Sequence, residues 1–228
     1  MITSEILGSV VQIRYGDSTG TAFTVQNSSQ TKQYLISARH IFTEVQDGDI
    51  VEFGVRMSSD WLLVKCKVHL NDNSNIDIAI FSFITPNYVT PAWEKPISST
   101  GLHLGQDVYF CGFPFGLYMN SVNGLNEGRP FPLVKKACVS MVIPNEKINP
   151  YILLDGFNNP GFSGGPVCFH NRATNTRNIF AVISGYRWSA SNVFFTENTV
   201  TPHIRENTGL IVAYTADWIP SFIEKMDT

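Results

Sequence analysis

Between Trp61 and Leu70 the chain alternates without a break. Val64, Cys66, Val68 and Leu70 share one parity, and Lys65, Lys67 and His69 the other. A period of two sends successive side chains to opposite faces, so this segment predicts an antiparallel strand with one face buried and one wet. Comparable runs of β-branched and aromatic residues lie at 9–15, 21–25, 34–37, 51–55 and 78–83, separated by Ser/Asn/Asp/Gly clusters such as those at 26–30 and 71–75. The second half repeats the pattern at 107–111, 134–143, 151–154, 166–170, 179–184, 192–196 and 209–214. Between the halves, 85–105 carries Pro86, Pro91 and Pro96 with little periodicity, the composition of a connection. The one persuasive helix is terminal: Trp218, Ile219, Phe222, Ile223 and Met226 fall on one face, with Pro220 starting or kinking it. The expected fold is all-β, with two antiparallel six-stranded β-barrels packed together and a short C-terminal helix. It is read as one domain, with a first barrel over 1–84, a connection over 85–106, a second barrel over 107–215 and the helix over 216–228.

Composition narrows the function. With 43% hydrophobic and 15% charged residues in 228, the chain is neither disordered nor a coiled coil. A chain of this length buries roughly 75% of its unfolded surface, so it needs no metal or disulfide to fold. Sixteen Lys plus Arg against nineteen Asp plus Glu leave no basic excess, and the longest basic run is Lys135-Lys136. Neither nucleic acid nor a membrane is therefore an expected partner. The first residues have no basic n-region and no long apolar run, so the expectation is a soluble, cytoplasmic protein. Cys66, Cys111, Cys138 and Cys168 form no C-x-x-C pair and no zinc spacing with histidine. No cofactor or metal is expected; the thiols are read as free and buried, with a Cys111 to Cys168 bridge as the alternative.

Gly161-Phe162-Ser163-Gly164-Gly165-Pro166 lies between strand candidates. Its glycines permit positive φ, so such a loop can present a serine and an oxyanion hole together, although an ordinary Gly/Pro turn reads the same way. A serine hydroxyl is a weak nucleophile at neutral pH, and needs an imidazole to take its proton and a carboxylate to hold the imidazole's tautomer. Of five histidines, His40 alone ends an apolar strand, in Tyr34-Leu35-Ile36-Ser37-Ala38-Arg39-His40. Asp77 stands at the mouth of the apolar run Ile78-Ala79-Ile80, where a buried carboxylate would need a partner. Each residue alone has a bland reading, as a structural His or a turn-capping Asp. The order His, Asp, Ser is that of the double-barrel serine proteases.

On these residues the sequence resembles the chymotrypsin-like, trypsin-fold serine proteases over nearly its whole length. Ser18-Thr19-Gly20-Thr21-Ala22-Phe23 is similar to the strand before the family's histidine, Leu35 to His40 to the histidine motif, and Asp77 to Ile80 and Gly161 to Pro166 to the other two. Within the family it looks closest to the Deg-type, high-temperature-requirement proteases. The similarity lies in Cys111-Gly112-Phe113-Pro114-Phe115-Gly116-Leu117, in Asp155 eight residues before Ser163, and in Gly209 to Tyr214. That branch's PDZ module has no counterpart in the sequence, so trimer formation and PDZ gating are not expected. Phe162 stands where zymogen-type members carry an Asp, so activation by a cut N-terminus is not expected either.

The resemblance implies a serine endopeptidase with His40, Asp77 and Ser163 catalytic and the N–H groups of Gly161 and Ser163 as oxyanion hole. Phe157, at the pocket base, and Asn158, Ile183, Ser184 and Gly185 would contact substrate. A bulky Phe157 and no acid there imply small or medium apolar P1 side chains, unless Phe157 packs into the barrel instead. Ser184 would hydrogen-bond Asp77 or pair with substrate as an added strand. Protein or peptide substrates are the expected partners, with an activator ordering a gate at 112–132 left open. The competing reading is a protease-fold binding or regulatory protein with little or no turnover.

Overall fold

The computed structural model describes residues 2–58, 60–84, 91–94, 96–120, 126, 129–142, 151–196 and 199–227. Six strands, β1 (Val10–Tyr15), β2 (Ser18–Gln26), β3 (Gln33–Ser37), β4 (Ile50–Arg56), β5 (Trp61–Leu70) and β6 (Ala79–Phe83), close into a barrel in the order β1-β2-β3-β6-β5-β4. The alternation that predicted β5 is realised: Val64, Cys66, Val68 and Leu70 are buried, while Lys65 and Lys67 are exposed. Phe42, Phe53 and Phe81 fill the interior with ring centroids 4.4–5.2 Å apart. Fully burying a ring of this kind is worth about 1.5–3 kcal/mol.

A second closed barrel, of order β10-β11-β12-β9-β8-β7, is built from β7 (Asp107–Gly112), β8 (Leu133–Val142), β9 (Tyr151–Asp155), β10 (Pro166–Asn171), β11 (Thr176–Thr196) and β12 (Thr199–Thr215). Phe110 and Phe162 meet edge-on inside it at 4.9 Å, as do Phe169 and Phe180 at 5.5 Å. Between the barrels lies a third apolar cluster. Phe23, Ile36, Ile78 and Ile80 from the first barrel meet Cys111, Phe113, Cys168, Ile179 and Val182 from the second.

The C-terminal helix α2 (Ile219–Asp227) begins next to Pro220 and buries Ile219 and Ile223 in this same cluster. Its last residue, Asp227, accepts hydrogen bonds from Lys32 Nζ (2.7 Å), Tyr34 OH (2.7 Å) and Asn27 Nδ2 (2.7 Å), clasping the helix to the first barrel.

Three features depart from the sequence reading. The candidates 179–184 and 192–196 are one strand, β11, which pairs with β12 from Ala181 to Thr196. A bulge between Ile183 and Gly185 leaves Ser184 without a register partner, and Gly185, Tyr186 and Trp188 continue the strand. Because β10 pairs only to Val182 and β9 only to Leu210, the far part of this hairpin stands out as a two-stranded arm. A short helix α1 (Ser4–Ser9), for which no periodicity argued, is held by Ile6 in the inter-barrel cluster.

All four cysteines are free, and burial pushes the Cys66 thiol up to about 12 and raises Cys111 and Cys168 as well. Of the connection, 85–90 and 95 lie outside the described residues, as do 121–125 and 127–128 of the expected gate. No helix among the described residues is long and apolar enough to cross a membrane.

Candidate active site

The apolar strand β3 ends at Ser37 and a single 3-10 turn, Arg39–Ile41, carries His40 to the barrel rim with its side chain half exposed. Asp77 precedes β6, the neighbour of β3, so strand pairing alone brings the two together. Asp77 Oδ2 is 2.6 Å from His40 Nδ1, and Asp77 Oδ1 accepts the His40 backbone N–H at 2.8 Å. A carboxylate at Nδ1 favours the tautomer with the proton there, leaving Nε2 as an acceptor. Ser184, on β11 of the other barrel, donates its hydroxyl to the same Oδ2 at 2.5 Å. Asp77 is thus held by three donors from two barrels, the second of which the sequence offered only as one of two roles for Ser184.

Ser163 Oγ donates to the carbonyl oxygen of Ser184 at 2.9 Å. The structure therefore links His40, Asp77, Ser184 and Ser163 in one chain of hydrogen bonds, with the Ser163 proton resting on Ser184 rather than on the imidazole.

The loop before Ser163 is fixed from several sides. Gly161 adopts φ +104°, and a Cβ there would lie 2.4 Å from the Phe113 carbonyl oxygen, so glycine is required. The Pro160 carbonyl accepts the Phe115 N–H at 2.9 Å. Because the peptide is trans and planar, the N–H of Gly161 points the opposite way. Thr21 of β2 donates its hydroxyl to the Gly161 carbonyl at 2.7 Å and accepts the Phe113 N–H at 3.1 Å, while its own N–H reaches the Ser163 carbonyl at 2.8 Å. Thr21 lies in the quoted glycine-strand motif, yet nothing in the motif assigns it this brace. Phe162 is fully buried against Phe110.

Phe157 departs from its expected place. Its ring is 53% exposed, lying over the Lys135 ammonium, so it does not floor an enclosed pocket. The next residue, Asn158, is the buried one. Its Nδ2 donates to the Gly185 carbonyl (3.1 Å), its Oδ1 accepts the Asn159 N–H (2.8 Å), and its carbonyl accepts Asn207 Nδ2 (2.7 Å). Asn207 had no sequence signal, since only the β12 pairing brings it here. Ile183 is fully buried in the barrel and Gly185 lies at the bulge. Among the described residues no three His, Cys, Asp or Glu side chains converge to hold a metal ion.

Two closed six-stranded barrels with a serine, a histidine and a carboxylate at their junction define the class of the chymotrypsin-like serine proteases. The model of the trypsin-like peptidase domain family matches residues 20–175, and the chain belongs to that family; it is a serine peptidase acting on proteins or peptides. Among the solved structures that share its fold are two of one protease. One is Rv3671c from M. tuberculosis H37Rv, a serine-to-alanine mutant in an inactive form, with TM-score 0.57, 15% identity, and coverage of 97% of this chain and 88% of that one. The other is the Rv3671c protease, also in an inactive form, with TM-score 0.56, 15% identity, and coverage of 98% and 91%. No curated protein matches the sequence.

Proposed function

We propose that the chain is a single-domain serine endopeptidase in which Ser163 is the nucleophile, His40 the general base and acid, and Asp77 the carboxylate that orients and stabilises the imidazolium. The observation that carries this reading is the hydrogen-bonded chain His40–Asp77–Ser184–Ser163 beside the braced Gly161 peptide. Ser163 turns from the Ser184 carbonyl to His40 Nε2, gives up its proton there and attacks the substrate carbonyl. His40 then returns the proton to the leaving amine, and water hydrolyses the acyl-enzyme by the same route. The N–H groups of Gly161 and Ser163 bind the oxyanion, a contact worth about 10²–10³ in turnover per donor.

The rotation of Ser163 also frees the Ser184 carbonyl to accept from a substrate lying along β11 as an added strand. Asn158, Ser184 and Gly185 line the primary pocket. The Asn158 amide is already bonded within the protein, so it exerts no demand for a polar P1 group, and small or medium apolar side chains fit best. Further along β11, an open concavity of about 520 Å³ lined by Tyr151, Tyr186, Arg187, Trp188, Val212 and Tyr214 accommodates residues upstream of the cleaved bond.

Fluorophosphonate labelling tests the machinery without a known substrate. The wild type should label, and Ser163→Ala and His40→Ala should not. Asp77→Asn should stay folded but react about 10⁴-fold more slowly, since the wrong tautomer would then face Ser163. A folded wild type that stays unlabelled would sink the proposal. A P1 peptide library should peak at Ala, Val or Leu; a peak at Lys or Arg would contradict the pocket reading.

A further inference from the structure

The loop 157–162 carries the Gly161 peptide but runs on the surface between β9 and the Ser163 turn, with Phe157 and Pro160 exposed. The Phe115 N–H to the Pro160 carbonyl and the Thr21 hydroxyl to the Gly161 carbonyl hold its far end. Asn158, bonded to Gly185 and Asn207, anchors its middle, and one charged side chain ties down the two residues on either side of Asn158. Lys135, on β8 opposite Phe110 of β7, turns its ammonium into the loop. There Nζ donates to the Phe157 carbonyl and, at 3.0 Å, to Asn159 Oδ1. The same nitrogen stands 5.3 Å from the centroid of the Phe157 ring and 5.9 Å from that of Phe162. A cation is thus bonded to two oxygens of one loop and stacked on two rings that flank the oxyanion peptide.

We infer that Lys135 is a positioning residue for catalysis: its ammonium ties the loop 157–162 to β8 and thereby sets the direction of the Gly161 N–H. The inference rests on the reading of Gly161 as an oxyanion donor. It goes beyond that reading by naming what orders the loop in a chain whose Phe162 offers no carboxylate to a cation. The ring of Phe162 and the carbonyl of Phe157 move together through Lys135. The Asn159 carbonyl, accepting the Phe162 N–H at 3.3 Å, passes the restraint to the residue before the nucleophile. Partial burial lowers the affinity of this ammonium for its proton, consistent with a cation working inside the loop rather than in water. Removing the cation leaves the Phe157 carbonyl and Asn159 Oδ1 without their donor, which loosens the approach to the Gly161 peptide while the bonds from Thr21 and Phe115 remain.

The test uses the full chain with Lys135→Met, which keeps length and apolar stem, and Lys135→Arg, which keeps charge and donors. Turnover of a peptide substrate by Lys135→Met should fall about 10- to 100-fold, a fraction of what a whole oxyanion donor supplies, with KM within twofold. Affinity for a peptide boronate, which places an oxygen in the oxyanion hole, should fall by the same factor. Binding of the unreactive substrate peptide, measured in a Ser163→Ala background, should not change. Lys135→Arg should recover at least part of the lost turnover. Wild-type turnover in Lys135→Met overturns the inference, as does loss of plain peptide binding in parallel with turnover. An Arg variant no better than Met overturns it too, and that comparison stands even where Met lowers stability. Wild-type labelling by fluorophosphonate that disappears in Ser163→Ala establishes the underlying site independently. A folded wild type that does not label overturns both readings, whereas normal labelling of Lys135→Met overturns only the role of Lys135.

Discussion

Replacing Thr21 by valine changes one oxygen into a methyl group and little else in volume. It removes two hydrogen bonds that join the barrels: Thr21 Oγ1 to the Gly161 carbonyl (2.7 Å) and the Phe113 N–H to Thr21 Oγ1 (3.1 Å). The Phe113 N–H is buried and would be orphaned at a cost of about 1–3 kcal/mol. The Gly161 carbonyl is only partly buried and can recruit water, so its loss sits at the low end, near 1 kcal/mol. Set against a gain of somewhat under 1 kcal/mol for the extra buried methyl, the expected net loss is about 1–3 kcal/mol. Urea unfolding at constant slope should show it, and for a domain of this size it corresponds to a drop of roughly 2–12 °C in Tm. Fluorophosphonate reactivity should fall as well, because the Gly161 peptide loses its brace. Thr21→Ser, which keeps the hydroxyl and loses a methyl, should cost about 1 kcal/mol and label at nearly the wild-type rate. A valine variant within 0.5 kcal/mol of wild type, or a serine variant equally impaired, would refute the reasoning.

Two further outcomes follow from the same geometry. Gly164 has φ +85° and a Cβ there would meet the Thr21 carbonyl oxygen at 2.0 Å and Ser37 Oγ at 2.4 Å, whereas Gly48, at φ +86°, has nothing within 4 Å. Gly164→Ala should therefore cost well over 4 kcal/mol or prevent folding, and Gly48→Ala only about 1 kcal/mol, in parallel unfolding measurements. At Asp227, burial raises the carboxyl pKa, but bonds from Lys32, Tyr34 and Asn27 outweigh it and hold the group below its ordinary value. A depressed folded pKa gives stability that is present above the unfolded value of about 3.9 and lost as pH falls through that value and the folded one. Asp227→Asn should thus weaken the protein near neutrality by about 1–2 kcal/mol and flatten its stability profile below pH 4, as read by Tm against pH. An unchanged acid profile would remove the clasp from the account of stability.

Much of the fold was legible because periodicity reports burial directly. Trp61 to Leu70 announces its buried face in the sequence, and the run before His40 announces a strand end. The meeting of His40 with Asp77 follows from the pairing of β3 with β6, the strands beside which their motifs lie. What stayed hidden depends on side-chain direction in irregular backbone. Phe157 and Asn158 are adjacent in a loop without a period, and it was the family resemblance that pointed to the phenylalanine for the pocket base. Cross-strand bonds decided for the asparagine. Lys135 reads as an ordinary basic residue beside Lys136, and only the loop folded over β8 distinguishes the two: Lys136 meets Asp107 at the surface, and Lys135 faces inward. The arm was missed because 179–184 and 192–196 were read as separate strands, whereas a bulge between Ile183 and Gly185 lets one strand run through.

The bond from Thr21 to Gly161 spans 140 residues of chain. At a synthesis rate of roughly 5–20 residues per second, the loop that Thr21 must hold emerges some 7–28 s after Thr21 itself. The first barrel, complete by Phe83, can close in that interval, with only the His40 and Asp77 part of the proposed site in place. Contacts of such long range are also the slowest to form once both partners exist. The brace on the Gly161 peptide is therefore a late contact, made only after the first barrel has had time to close.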